Sequence, residues 1–304
     1  MSIWELFSIQ GTLFIMILAG TFLRKKGILD ENGTRCLTDL CVSVVIPCNI
    51  IQSCLIEFDV SILRTCGLLF IVGFVTQLIC VVFNRFLFNR YPEQQKKVLQ
   101  YVTLVSNSGF LGYPVAEGVY GSLGLLYASV FLIPMRIVMW SVGTSYFVAG
   151  KTDWKKVMKN VLTHPCLIAV YIGLLVMFTQ IQLPSIVTMP IKYIGSCNAA
   201  LTMFIIGTIM ADVPLHTIVN RTTLCFSVFR LAILPAITLV LCLPLAMDTT
   251  AVGVSVIMMG MPAASTSAIF AARYHSDAPF ATKCVVLSTL LSMLTIPVWC
   301  YFIG

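Results

Sequence analysis

Charged side chains are scarce in this 304-residue sequence. Asp, Glu, Lys and Arg make up only 10% of it, whereas a soluble domain carries about 25%. Hydrophobic residues make up 59%, and the mean hydropathy is +0.96. This composition excludes a soluble enzyme and predicts an all-α membrane protein that crosses the lipid bilayer several times.

Motifs for enzymatic chemistry and for metal or nucleotide binding are also missing. The sequence has no Cys-x-x-Cys pair and no Walker-type phosphate-binding loop, and none of its three histidines lies near another ligand type at the spacing of a metal site. Most of its twelve cysteines lie in apolar runs, where they are expected to pack as small hydrophobic residues. The net charge of +7 is spread over short connections. We therefore expect no cofactor, no metal ion, no nucleic-acid partner and no enzymatic activity.

Ten apolar runs each approach the about 20 residues that a helix needs to cross a bilayer. Fifteen Lys and Arg residues lie in the odd-numbered connections, and two lie in the even-numbered connections and termini. Because cytoplasmic connections carry the excess of Lys and Arg, we expect a multi-pass protein of the cell (plasma or inner) membrane with both termini outside. The runs are 7–23, 36–56, 65–88, 98–120, 124–148, 161–180, 191–211, 222–246, 250–272 and 281–303.

The ten runs divide into two sets of five, in residues 1–150 and 151–304. An odd number of spans in each half gives the halves opposite orientations, which is the layout of inverted-repeat transporters. The fourth and ninth runs both contain Gly-x-Pro, ending at Pro114 and Pro262. In a helix interior Gly costs about 1 kcal/mol and Pro about 3 kcal/mol relative to Ala. The sequence therefore predicts that the fourth and ninth helices are broken and cross each other.

The broken helices predict an anion site. A half-helix is expected to begin after each proline, with its first amides unpaired and the positive end of its dipole exposed. Two such ends facing each other near the midplane would bind a small anion, such as a mono- or dicarboxylate. The candidate substrate-binding residues are Asn49, Ser106, Asn107, Gly109, Pro114, Arg136, Pro262, Ser265 and Thr266.

Three charged residues within the predicted spans are candidates for a functional role. Arg136 is either the counter-charge of a substrate carboxylate or a structural residue paired with Glu117 or with carbonyls freed by Pro134. Glu117 is either stabilised by the helix dipole in the first turn after Pro114 or is a proton-coupling carboxylate. Arg230, nearer the cytoplasmic end of its run, is expected to extend its charge toward the membrane surface.

At these residues the sequence resembles the auxin efflux carrier family, in particular its short prokaryotic members. The segment from Asn107 to Pro114 matches that family's Asn-x-Gly-Phe-x-Gly-x-Pro pattern. The long central loop of the plant members is absent, and only 149–160 takes its place. Weaker support comes from Pro47-Cys-Asn49, His164-Pro165, Ile206-Gly207, Pro262 and Phe270-Ala-Ala-Arg-Tyr274.

The resemblance implies ten membrane-spanning helices and two domains, a mobile transport domain and a scaffold domain, each drawn from both halves. It also implies an elevator-type movement, a homodimer formed through the scaffold, and substrates such as malate, malonate or auxin-like acids. The sequence thus predicts a secondary active transporter of small organic anions, with proton or sodium coupling left open. Two alternatives remain: a sodium-coupled solute symporter of the bile-acid-symporter type, and a membrane ligand sensor that does not transport.

Overall fold

A computed structural model defines the fold for residues 2–56, 59–147, 153–211 and 217–303. Apart from one isolated β-bridge, this part of the chain forms helices and their connections. The predicted fifth connection, 149–160, lies partly outside it. The helices are α1 (Ile3–Lys25), α2 (Glu31–Ser53), α3 (Val60–Phe86), α4 (Glu93–Leu104), α5 (Ser108–Gly143), α6 (Trp154–Leu162), α7 (Pro165–Thr179), α8 (Ser185–Ala211), α9 (Arg221–Leu245), α10 (Thr249–Met259), α11 (Thr266–Arg273) and α12 (Ala278–Ile303).

Within the described ranges, seven helices are long and apolar enough to cross a membrane: α1, α2, α3, α5, α8, α9 and α12. The pair α6 and α7, bent by 56°, is an eighth candidate. The prediction of an all-helical, multi-pass protein is therefore confirmed. Helices α4, α10 and α11 are short because breaks interrupt the runs at 98–120 and 250–272, and α5 joins parts of two predicted runs through a kink at Gly121, where φ is 65°. The ten-span inverted repeat stays a prediction.

Three spans accommodate a proline beside a widened turn. Proline has no N–H to donate and crowds the carbonyl one turn before it. A π-helical turn, with hydrogen bonds from residue i to i+5, relieves this crowding. Pro114 is therefore buried in a part of α5 that stays helical on both sides of it. The fourth run is interrupted before this proline, at 105–107, and the prediction that Pro114 itself breaks the helix is wrong. The turns and their prolines are Cys41–Val45 with Pro47, Ser108–Gly112 with Pro114, and Phe229–Ile233 with Pro235.

Small residues bring α1 and the C-terminal part of α8 into backbone contact. A Cβ added at Gly207 would lie 2.1 Å from the Ile17 carbonyl oxygen, and one added at Gly20 would lie 2.4 Å from the Phe204 oxygen. The Thr21 hydroxyl donates to the Gly207 carbonyl over 3.0 Å. In lipid, where the hydrophobic effect does not drive helices together, such close packing is what associates them.

The centre of the protein is formed by α3, α5 and α10. Leu69 of α3, Leu125 of α5 and Val254 of α10 are fully buried in one apolar cluster. The connections between α4 and α5, residues 105–107, and between α10 and α11, residues 260–265, are buried as well. Irregular backbone at these two places is therefore enclosed by protein, which is the condition for tolerating it at membrane depth.

Candidate functional site

Two helical paths are interrupted inside the protein, and the interruptions contact each other. Residues 105–107 separate α4 from α5, and residues 260–265 separate α10 from α11. An isolated antiparallel bridge joins Ser106 in the first interruption to Ala263 in the second. The two interruptions, which lie far apart in the sequence, thus form one unit, referred to below as the paired break.

The paired break satisfies backbone groups that the helices leave free. The Asn107 N–H donates to the Pro262 carbonyl over 2.8 Å, and the Ala264 N–H donates to the Val105 carbonyl over 3.2 Å. A backbone polar group left unpaired in a membrane interior costs several kcal/mol. Each interruption therefore stabilises the other.

Two helix N-termini begin at the paired break without side-chain caps. Asn107 precedes α5 and Ser265 precedes α11, and neither side chain accepts a hydrogen bond from its helix. Among the described residues, the first amides of α5, at Ser108 and Gly109, have no hydrogen-bond partner. The positive end of α5 therefore lies before Pro114, and the prediction that it follows this proline is wrong.

The Asn107 side chain holds an unpartnered donor beside the break. It is only 3% exposed, and its Nδ2 atom has no hydrogen-bond partner in the described structure. A buried donor without a partner costs about 1–3 kcal/mol. A Cβ added at neighbouring Gly109 would meet nothing within 4 Å, so there is open space beside the break. An unpaired donor and open space occur together at this helix N-terminus.

The hydroxyl groups of the first interruption are already engaged. Ser108 Oγ donates to the Met258 carbonyl of α10 over 2.9 Å, and the Ser106 and Ser108 hydroxyls are hydrogen-bonded to each other. Because each hydroxyl has one hydrogen, Ser106 is left to donate to Ser108. Ser106 therefore braces the break and has no free hydrogen for an anion.

An aromatic cluster covers the start of α11. The Tyr101 hydroxyl lies 3.4 Å from Thr266 Oγ1, and the Tyr101 ring stacks on Phe270 of α11 with 5.3 Å between centroids. Phe147 packs against both rings, at 5.4 Å and 6.2 Å. The predicted site residue Thr266 is thus held by α4 as well as by its own helix.

Asn49 and Glu117 form a separate polar pair between α2 and α5. Asn49 Nδ2 donates to Glu117 Oε2 over 2.8 Å, and Asn49 is 1% exposed. Glu117 lies well inside α5, so the interpretation that it occupies the first turn of a half-helix is wrong. Its anchor is an amide side chain rather than the helix dipole.

Arg136 contacts His164 and not Glu117. Its Nη1 atom lies 2.9 Å from His164 Nε2, and His164 immediately precedes α7, with its Nδ1 atom 3.2 Å from the Cys166 backbone nitrogen. A neutral imidazole accepts at only one nitrogen, so His164 accepts from one of these two donors, and the shorter contact, from the charged guanidinium, is the stronger one. The alternative in which Arg136 pairs with Glu117 is wrong, and Arg136 joins α5 to α7.

Arg230 lies in the interior of the protein, contrary to the prediction. Its side chain is fully buried, with Nε donating to the Met261 carbonyl over 2.9 Å and Nη1 donating to the Thr103 carbonyl over 2.8 Å. It does not reach toward the membrane surface as predicted. The available signal was its position within an apolar run, where an arginine is costly unless protein groups satisfy it.

The predicted site residues fall into four places in the structure. Asn49 lies with Glu117, Arg136 lies with His164, and Pro114 is buried in α5. The members that meet at the paired break are Ser106, Asn107, Gly109, Pro262, Ser265 and Thr266.

Comparison with protein families gives a match along nearly the whole chain. The family model described as membrane transport protein matches residues 8–163 and 151–300. Three relatives are described as uncharacterized transporters. One from Methanothermobacter thermautotrophicus is 26% identical over 292 residues and covers 95% of each chain. MJ1031 of Methanocaldococcus jannaschii is 23% identical over 299 residues, covering 94% of this chain and 95% of its own.

A bacterial relative also aligns along nearly its whole length. YfdV of Escherichia coli K12 is 19% identical over 301 residues, again 95% of each chain. The resemblance carried by the Asn107-to-Pro114 motif is thus confirmed by a match to the whole protein. The chain belongs to the membrane transport protein family, the family of the auxin efflux carriers.

Proposed function

We propose that this protein is a secondary active transporter of small organic anions and that the paired break binds the substrate carboxylate. The observation that carries the proposal is the unpartnered Nδ2 of buried Asn107, next to open space at Gly109 and to the uncapped start of α5. An amide donor and free backbone N–H groups at a helix N-terminus suit an anion better than a cation or an apolar solute.

A second helix N-terminus supports an anion. The start of α11 lies at the same paired break, and the Ser265 side chain does not cap it. Each helix N-terminus carries roughly half a positive charge. A carboxylate has two oxygens, so a monocarboxylate could accept hydrogen bonds from both helix starts at once, as could either end of a dicarboxylate such as malonate or malate.

The paired break also supports a moving unit. Since the two interruptions share backbone hydrogen bonds, α4, α5, α10 and α11 would shift together with the bound substrate. We propose an elevator-type movement of this unit against a scaffold that includes α1 and α8, within an inverted repeat of ten spans. In this proposal Glu117 is the coupling carboxylate, and Arg136 is a second positive group beyond the break.

The test is a ligand screen followed by a flux assay. The unfolding temperature of detergent-purified protein is measured with malonate, malate or acetate, and with the uncharged amide of each as a control. Each measurement is made with and without sodium and at two pH values. We expect carboxylates, and not amides, to raise the unfolding temperature. The best ligand is then loaded into proteoliposomes, where radiolabelled substrate should exchange across the membrane. Stabilisation by no carboxylate would contradict the proposed substrate class.

The same assays separate the two alternatives. A ligand sensor would show saturable binding with no flux in proteoliposomes. A sodium-coupled symporter would show stabilisation only when sodium is present, together with uptake driven by a sodium gradient. Under the proposed function, carboxylate binding and flux occur together.

A further inference from the structure

The contacts of Arg230 reach both halves of the paired break. It lies in α9, and its two hydrogen-bond acceptors, the carbonyls of Thr103 and Met261, belong to the last turn of α4 and to the residues just after α10. A planar guanidinium with its donors in a fixed fork suits two carbonyls at once. One side chain therefore joins the ends of the two helices that stop at the break.

If the charge of Arg230 is left out, the helix dipoles at the paired break sum to nearly zero. Two N-termini, those of α5 and α11, meet two C-termini, those of α4 and α10. Each N-terminus contributes roughly +0.5 and each C-terminus roughly −0.5 of an elementary charge. Their sum is close to zero, so the dipoles alone favour an anion only at one edge of the break.

The full positive charge of Arg230 lies at the negative, C-terminal ends of α4 and α10. Its donors bind carbonyls at the two C-terminal ends, so its charge offsets those ends and leaves the two positive ends in excess. In the described part of the chain, no carboxylate lies within 4.0 Å of its guanidinium. Water cannot screen the charge strongly, because the side chain is fully buried.

We infer that Arg230 is the positioning residue that gives the paired break its preference for anions. It acts through the helix ends that it binds and does not touch the substrate. This inference rests on the proposed function, since it concerns the same site. It predicts that the charge at position 230 governs discrimination between a carboxylate and its uncharged amide, whereas a purely structural arginine would affect only stability.

The experiment measures that discrimination in three kinds of variant. Arg230→Gln and Arg230→Met both remove the charge. Both are made, and affinities are measured on a variant that unfolds cooperatively in detergent, which shows that it is folded. Arg230→Lys keeps the charge but loses the planar fork. Arg221→Gln is the matched control, because Arg221 is an exposed arginine at the start of the same helix. Affinities for malonate and malonamide are measured by titration for each protein.

The neutral variants should bind malonate about tenfold more weakly or worse, with little change for malonamide. Arg230→Lys should keep the preference for malonate and unfold at a lower temperature, and Arg221→Gln should match the wild type. The role of Arg230 would be overturned if a neutral variant kept the wild-type ratio of malonate affinity to malonamide affinity. It would also be overturned if Arg230→Lys no longer preferred malonate to malonamide. If the wild type binds no carboxylate at all, the proposed function itself fails.

Discussion

The backbone N–H of Asn107 donates to the carbonyl of Pro262 over 2.8 Å. The donor immediately precedes α5, and the acceptor lies in the irregular segment between α10 and α11. This bond, together with the Ser106–Ala263 bridge, turns two helix breaks into one structural unit. It also fixes the Asn107 backbone, so its side chain starts from a defined position beside the open space at Gly109.

Asn107→Ala should weaken carboxylate binding without destabilising the protein. A hydrogen bond to a charged group contributes about 1.5–3 kcal/mol, which corresponds to a loss of roughly tenfold to a hundredfold in affinity. The unfolding temperature should be unchanged or slightly higher, because the variant removes a buried donor that has no partner. Asn89→Ala, which removes an exposed amide, is the control. Wild-type affinity for malonate in Asn107→Ala would contradict this role.

Gly109→Ala should reduce binding while preserving the fold. The added methyl group enters open space and meets no atom within 4 Å, and Ala favours helix by about 1 kcal/mol over Gly. The comparison is Gly112→Ala, whose Cβ would lie 2.9 Å from Met258 Sδ and should lower the unfolding temperature. Titration and thermal unfolding of both variants measure the two effects. Gly109→Ala with unchanged affinity would mean that the substrate does not occupy this space.

Pro114→Ala should be mild in both stability and transport. Pro114 follows the π-helical turn Ser108–Gly112 of α5, and this widened turn already accommodates its ring and its missing N–H. We expect a change in unfolding free energy within about 1 kcal/mol and near-normal exchange in proteoliposomes. A complete loss of exchange in well-folded protein would show that the proline ring itself serves the site.

Glu117→Gln tests the proposed coupling role. Glutamine keeps an oxygen that can accept from Asn49 Nδ2 but cannot take up and release a proton at ordinary pH. We therefore expect uptake driven by a pH gradient to fall, while exchange between equal substrate pools continues. Initial rates of both processes in the same proteoliposome preparation measure the difference. Gradient-driven uptake at the wild-type rate would exclude Glu117 from coupling.

Gly207→Ala should destabilise the contact between α1 and α8. The new methyl group would lie 2.1 Å from the Ile17 carbonyl oxygen, and overpacking of this kind costs about 1–3 kcal/mol or more. Gly11→Ala is the matched control in α1, since its Cβ would meet nothing within 4 Å. Thermal unfolding in detergent should separate the two. Equal unfolding temperatures would show that the helices separate easily at this point.

The breaks could be located from sequence because glycine and proline are costly in helices. The Gly-x-Pro at Pro262 lies within the second break, whereas the one at Pro114 follows the first break by several residues. The difference arises from the π-helical turn Ser108–Gly112, which accommodates Pro114 without interrupting the helix. Hydropathy carries no signal for the choice between a break and a widened turn.

The partners of the buried charges were not predictable. Arg230 contacts Thr103 and Met261, which lie in separate parts of the sequence, and both acceptors are backbone carbonyls that every residue type offers. Glu117 was one of the partners that charge suggested for Arg136, yet Arg136 contacts His164. Sequence indicated that these arginines needed partners, but only the packing of the helices determined which ones.

The contact between Ser108 Oγ and the Met258 carbonyl joins residues 150 positions apart, and this distance matters for biosynthesis. When the first break leaves the ribosome and enters the membrane, the segment that will pair with it has not yet been made. Its free backbone groups must be sheltered by water, by the insertion machinery or by a temporary partner until α10 and α11 arrive. A chain truncated after α8 should therefore be recognised by membrane quality control and degraded.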